Sequence, residues 1–170
     1  EREMLRAVFE HSSDGIVVVD ENQRVVTFNT GMERLTGYPA SEMIGRQCHE
    51  RYQCHSESGQ VLCYTACPLT RVMGNGEQIP YLEARFSTRD GGMRDVAVSY
   101  SVVTSPTDPS KRYGISIARD ISHLKEVERA KSAFISTVSH ELRTPLASIQ
   151  ASIGVLKEHL PPDFPEPLRK

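Results

Sequence analysis

The 170-residue chain contains no apolar run approaching the roughly 18 residues of a membrane-spanning helix, so no membrane segment is expected in it. Its first residues, Glu1-Arg-Glu-Met-Leu-Arg-Ala-Val, are charged and amphipathic, so no secretory signal peptide is visible in them. Basic excess is missing as well. A formal net charge of -2 and a pI near 6.3 argue against a nucleic-acid-binding surface. Cysteine is absent everywhere except between Cys48 and Cys67, where all four lie. In a chain without a secretory signal they read as thiols or metal ligands before disulfides. There is no initiator Met, and the sequence stops in a proline-rich tail. The expectation is a cytoplasmic piece of a longer protein, with room for a membrane anchor upstream of Glu1.

The order of patterns along the chain predicts an α+β fold. Residues 1–12 form an amphipathic helix with Met4, Leu5, Val8 and Phe9 on one side. Ser12-Ser13-Asp14-Gly15 breaks it. Ile16–Asp20 and Arg24–Asn29, joined at Glu21-Asn22, read as a β-hairpin. Thr30–Thr36 and Pro39–Ile44 read as short helices, with Asn29 placed to cap the first. Leu69–Met73 is helical and ends at Gly74-Asn75-Gly76. Strands follow at Tyr81–Arg89, Arg94–Thr104 and Tyr113–Asp120. The predicted result is a five-stranded antiparallel sheet with helices on one face.

From His123 the pattern becomes one long helix. Leu124, Val127, Lys131, Phe134 and Val138 follow a seven-residue repeat, as in a coiled coil. The stripe resumes four residues on at Leu142 and continues through Leu146, Ile149, Ile153, Leu156 and Leu160. Such an insertion is a stutter, which locally unwinds a coiled coil; it falls beside His140. A switchable packing and an ordinary register shift both account for it. His140 lies two residues from Val138 and two from Leu142, at the edge of the stripe, where a nucleophilic imidazole is accessible. Pro161-Pro162 ends the helix, leaving 161–170 as a loop or frayed tail.

Phe134-Ile-Ser-Thr-Val-Ser-His-Glu-Leu-Arg-Thr-Pro-Leu146 resembles the H-box of sensor histidine kinases position for position. The resemblance implies that His140 is the phosphoacceptor and Glu141 the adjacent acid/base. It implies that Thr144 serves in dephosphorylation of the regulator. Pro145 is expected to loosen the helix just after the site. Upstream, Ser13-Asp14-Gly15-Ile16-Val17-Val18-Val19-Asp20, the Met32–Tyr38 helix after Asn29, Glu42-Met43-Ile44-Gly45 and Arg119-Asp120-Ile121-Ser122 resemble a PAS sensor domain in order. Taken together, 13–121 is the expected PAS domain. Residues 122–160 are the signalling helix and first phosphoacceptor-domain helix.

By that resemblance the chain is the sensory part of a two-component histidine kinase. It would form a homodimer through the C-terminal helix, and its phosphoryl group would pass to a response regulator. Mg-ATP would enter only through a separate catalytic domain, because neither a Gly-rich nor an Asn-box sequence occurs here. This chain alone is therefore expected not to autophosphorylate. A non-enzymatic sensor and dimerisation module, or a metal-holding redox protein, stand as alternatives.

Cys48, Cys54, Cys63 and Cys67 are spaced C-x5-C-x8-C-x3-C, with His49 and His55 beside the first two. The spacing is neither a zinc-knuckle pattern nor a ferredoxin pattern. The cluster is still denser than core packing produces. An iron–sulfur cluster sensing redox state or oxygen, a zinc site, and four unrelated thiols are the readings it allows, with metal ahead of thiols and iron–sulfur ahead of zinc.

Overall fold

The computed structural model of the chain describes residues 1–64 and 66–158, with side chains through 155. It divides into two units, the first spanning Glu1–Lys125 and the second beginning at Glu126. The first unit runs α1 (Arg2–His11), β1 (Gly15–Val19), β2 (Val25–Phe28), α2 (Thr30–Thr36) and α3 (Ala40–Met43). A 3₁₀ turn (Cys48–Glu50), β3 (Cys54–His55), α4 (Pro68–Asn75), β4 (Ile79–Ser87), β5 (Met93–Thr104) and β6 (Arg112–Asp120) follow. Then α5 (Ser122–Glu158) begins.

All strands join one antiparallel sheet in the order β2-β1-β6-β5-β4-β3. It has six strands rather than the five expected. The addition is β3, two residues long, which pairs Cys54 with Phe86 and His55 with Arg85. Two residues cannot display a period-2 alternation, so the sequence pattern carried no sign of it.

The long β-branched and aromatic strands follow the alternation rule. In β5, Val96, Val98 and Tyr100 are buried while Asp95, Ala97 and Ser99 are only partly so. The buried side of the sheet receives α2, α3 and α4, which supply Met32, Leu35, Met43, Leu69 and Val72 to one core. Each such side chain contributes roughly 1.5–3 kcal/mol on burial.

One polar residue organises the start of this core. Asn29 is fully buried. Its side-chain oxygen accepts from the backbone N–H of Met32 at 2.9 Å and of Ile16 at 2.7 Å. Its amide donates to the carbonyls of Phe9 at 2.9 Å and Asp14 at 3.0 Å. The expected cap of α2 is thus also the bolt joining α1, β1 and α2. Gly31 follows because a Cβ there would stand 2.3 Å from the Asp14 carbonyl oxygen.

The second unit is the bulk of α5, which is unbroken through Pro145. The expected loosening takes the form of a missing N–H, not a break. Phe134, Ile135, Leu142, Leu146, Ile149 and Ile153 are 47–68% exposed along it. The predicted helix stop at Pro161-Pro162 and the tail 161–170 lie outside the described residues. Among the described residues no helix is long and apolar enough to cross a membrane.

Candidate functional site

Two places hold the candidate site residues: the His140 segment of α5 and the cysteine-rich segment before α4. The helix α5 starts where β6 ends. Asp120 accepts from the Ser122 N–H at 2.8 Å, and the Ser122 hydroxyl accepts from the Asp95 N–H at 3.2 Å. In the second unit His140, Glu141, Arg143 and Thr144 are all exposed. Positions four apart share a helix face, so Thr144 stands one turn from His140 on the same side. Glu141, one residue on, lies about 100° around the helix from His140. Thr137 returns its hydroxyl to its own helix, donating to the Ala133 carbonyl at 3.0 Å. The geometry is that of an imidazole open to a large reactant, with a hydroxyl beside it and a carboxylate at the flank.

The cysteine segment converges. Cys48 opens the 3₁₀ turn, Cys54 lies on β3, Cys63 sits in the following loop, and Cys67 caps the N-terminus of α4 with Pro68 as its first residue. All four line one narrow cavity of about 20 Å³, whose apolar wall includes Leu69 and Phe86. All four are free thiols. The Cys54 N–H donates to the Cys63 sulfur at 3.1 Å, and the Cys54 sulfur lies 3.8 Å from the Tyr100 hydroxyl.

Burial sets the acidity of these thiols. It pushes Cys48 up to about 12, with the neighbouring sulfurs of Cys67 and Cys63 adding to it. Burial likewise pushes Cys54 up to about 12 against the opposing hydrogen bond from Tyr100. Cys63 is raised for the same reason, with the Cys54 N–H opposing. These three thiols are therefore protonated at neutral pH and poor nucleophiles on their own.

The two histidines beside the cysteines do not join them. The His49 ring packs edge-on against Tyr64 at 5.2 Å. His55 alternates to the opposite side of β3 from Cys54, where its Nδ1 is buried without a hydrogen-bond partner. Among the described residues no three His, Cys, Asp or Glu side chains stand as a ready-made metal-holding group.

Contacts that the sequence did not suggest tie this segment to its neighbours. Lys125, in the first turn of α5, reaches Glu57 at 3.2 Å and also hydrogen-bonds Glu83 on β4. Arg119 grips Asp14 with two hydrogen bonds, at 3.0 and 2.9 Å, joining the end of β6 to the start of β1. Both links cross large sequence separations, and ordinary surface charges carry no mark of such partners.

The comparisons agree with this division. Residues 3–121 match the PAS fold family, and residues 130–170 match the His Kinase A (phospho-acceptor) domain. Sensor protein kinase WalK of Staphylococcus haemolyticus is 28% identical over 158 residues, covering 93% of this chain and 24% of its own length. The chain thus spans about a quarter of that relative. A PAS domain from Colwellia psychrerythraea superposes with a TM-score of 0.57 at 21% identity, over 72% of this chain and 99% of that one. A domain of the sensory box sensor histidine kinase/response regulator from Geobacter sulfurreducens gives a TM-score of 0.51 at 27% identity, over 70% and 93%. The chain belongs to the PAS family through residues 3–121 and carries a His Kinase A phosphoacceptor domain after it.

Proposed function

We propose that the PAS unit senses a signal and controls ATP-dependent phosphorylation of His140 in a two-component sensor histidine kinase. The observation that carries this reading is His140 itself: exposed, on a helix, inside Ser139-His-Glu-Leu-Arg-Thr-Pro-Leu146.

In the proposed step a ring nitrogen of His140 attacks the γ-phosphorus of Mg-ATP held by a separate nucleotide-binding domain. An N–P bond forms, the P–O bond to ADP breaks, and the ring proton passes to a base. The flanking carboxylate of Glu141 is the group offered for that role. The phosphoryl group then moves from His140 to an aspartate of a response regulator. Thr144, one turn along the same face, would orient a water that attacks the regulator's aspartyl phosphate, releasing inorganic phosphate and the free aspartate. Phosphoryl transfer of this kind depends mostly on positioning and charge neutralisation, so a sensor regulates it by moving the acceptor.

Two copies of α5 would cover the exposed apolar stripe from Phe134 to Ile153 in a homodimer. A signal that favours one of two dimer packings by a few kcal/mol shifts their populations decisively.

The experiment is phosphorylation of the whole kinase with labelled ATP, alongside a His140→Gln variant. The expected product is acid-labile and absent from the variant, whose fold by circular dichroism is unchanged. The 170-residue chain alone should remain unlabelled until a nucleotide-binding domain is added. Normal signalling by His140→Gln would instead favour a purely mechanical sensor and dimerisation module.

A further inference from the structure

We propose that Cys48, Cys54, Cys63 and Cys67 form a tetrathiolate site for a single divalent ion of the zinc class. The site would clamp the irregular segment between α3 and α4 to the sheet. It is independent of whether His140 is phosphorylated.

The first argument is convergence. Among the described residues between α3 and α4 the helices and strands amount to one 3₁₀ turn and a two-residue strand. A stretch held mainly by local turns still delivers each of its four thiols, from four local settings, to one cavity. No thiol lies anywhere else in the chain to make such a meeting ordinary.

The second is the surroundings of the sulfurs. A neutral thiol is a weak hydrogen-bond acceptor. Yet the Cys54 N–H points at the Cys63 sulfur at 3.1 Å, and the Tyr100 hydroxyl lies 3.8 Å from the Cys54 sulfur. The Cys54 N–H is a donor to sulfur of the kind a metal-bound thiolate needs around it; as a free thiol the Cys63 sulfur also donates to the Cys54 carbonyl at 3.9 Å, a bond that metal binding would replace. Cys67 stands at the N-cap position of the eight-residue α4 and spends no side-chain hydrogen bond on capping it.

The third is donor chemistry and room. No carboxylate lines the cavity among the described residues. An all-sulfur set suits zinc or iron–sulfur chemistry, not calcium or magnesium. A cavity of about 20 Å³ is close to the space of one water molecule. One ion with sulfurs drawn to about 2.3 Å fits by side-chain rotation. A multi-atom iron–sulfur cluster requires the wall of Leu69 and Phe86 to move apart. Since no three donors stand ready-made, closure about the ion is part of binding.

The step balances as one divalent cation plus four neutral thiols giving a tetrathiolate complex of net charge -2, with four protons released to solvent. No electron is transferred.

The test uses the full chain purified without oxygen. Zinc and iron are measured by elemental analysis before and after dialysis against a chelator. Thiols are counted by alkylation with and without added zinc. The expected result is about one zinc per chain, with four thiols alkylated in the metal-free protein and essentially none in the zinc-loaded one. Cys63→Ser and Cys67→Ser should each weaken zinc binding at least tenfold in competition with a chromophoric chelator. The wild-type alkylation count stands even if a variant fails to fold. Unchanged alkylation with excess zinc would overturn the site. Iron with inorganic sulfide and a visible charge-transfer band would overturn the single-ion assignment. A disulfide between any two of the four in the anaerobic protein would overturn both.

Discussion

The ammonium of Lys125 stands 3.2 Å from the carboxylate of Glu57. Glu57 lies in the loop between Cys54 and Cys63, and Lys125 lies in the first turn of α5. The same ammonium also engages Glu83 on β4. One cation therefore joins the cysteine segment, the sheet and the root of the helix that leads toward the acceptor histidine. Any change that displaces the Cys54–Cys63 loop alters one of the two partners of Lys125.

Lys125→Met tests whether that junction matters for output more than for stability. Glu57 is 64% exposed and Glu83 28%, and exposed ion pairs are worth about 0.2–1 kcal/mol. The melting temperature should thus fall by only a few degrees. In the whole kinase, the response of His140 phosphorylation to the signal should change severalfold. A large loss of stability with an unchanged response would make Lys125 structural only.

Part of the acid sensitivity should reside in the Asp14–Arg119 pair. The hydrogen bond from Arg119 holds the Asp14 carboxyl below its ordinary value of 3.8, against the opposing effect of burial. Because folding lowers this pKa, the stabilisation is complete above 3.8 and disappears as pH falls through the lower folded value. Arg119 is 70% exposed, so solvent screening keeps the contribution of the pair small. Asp14→Asn should be slightly less stable than the parent at pH 7, and the gap should close at an acid pH where the Asp14 carboxyl is protonated in both the folded and the unfolded chain. Urea midpoints at the two pH values check this. An equal gap at both would mean the pair acts through packing, not charge.

The sequence revealed features made by neighbours in the chain. The β1–β2 hairpin, the Asn29 cap and the three long strands all appear as local periodicities or punctuation, and all are present. The long helix α5 was legible for the same reason. The cysteines were visible as a cluster in sequence, but their shared cavity depends on how α4 and the sheet meet, which no spacing encodes. The strand β3 was too short to show a period. Lys125 finds Glu57 across 68 residues, and nothing distinguishes it from other surface lysines until the sheet has formed.

Asn29→Ala should be the most damaging single polar substitution in the PAS unit. It removes the acceptor of two backbone N–H groups and the donor to two carbonyls at a fully buried position. Each buried group left unsatisfied costs about 1–3 kcal/mol, and partial access of water to the ends of α1 reduces the sum. A loss of about 3–4 kcal/mol in urea denaturation is expected. Asn29→Asp should fare little better, because a carboxylate would face the carbonyls of Phe9 and Asp14. A loss under 1 kcal/mol in Asn29→Ala would show that the cap is dispensable.

Pro145→Ala should stabilise α5 and alter its output. The proline lies inside an unbroken helix, yet it has no N–H to offer the carbonyl four residues back. That carbonyl belongs to Glu141, the residue beside His140. The turn carrying the acceptor therefore has one backbone hydrogen bond fewer than the turns around it, which makes it the easiest place for the helix to bend. An alanine restores the bond and removes the ring's clash with the preceding turn, a gain of up to about 3 kcal/mol in helix propensity. Thermal unfolding followed at the helical circular dichroism band should shift upward. In the whole kinase, the ratio of phosphorylation to dephosphorylation of the regulator should change, since both reactions must approach His140 on this turn. If Pro145→Ala melts no higher than the parent, dimer packing already compensates for the missing bond. If it melts higher with the ratio unchanged, bending at Glu141 plays no part in switching.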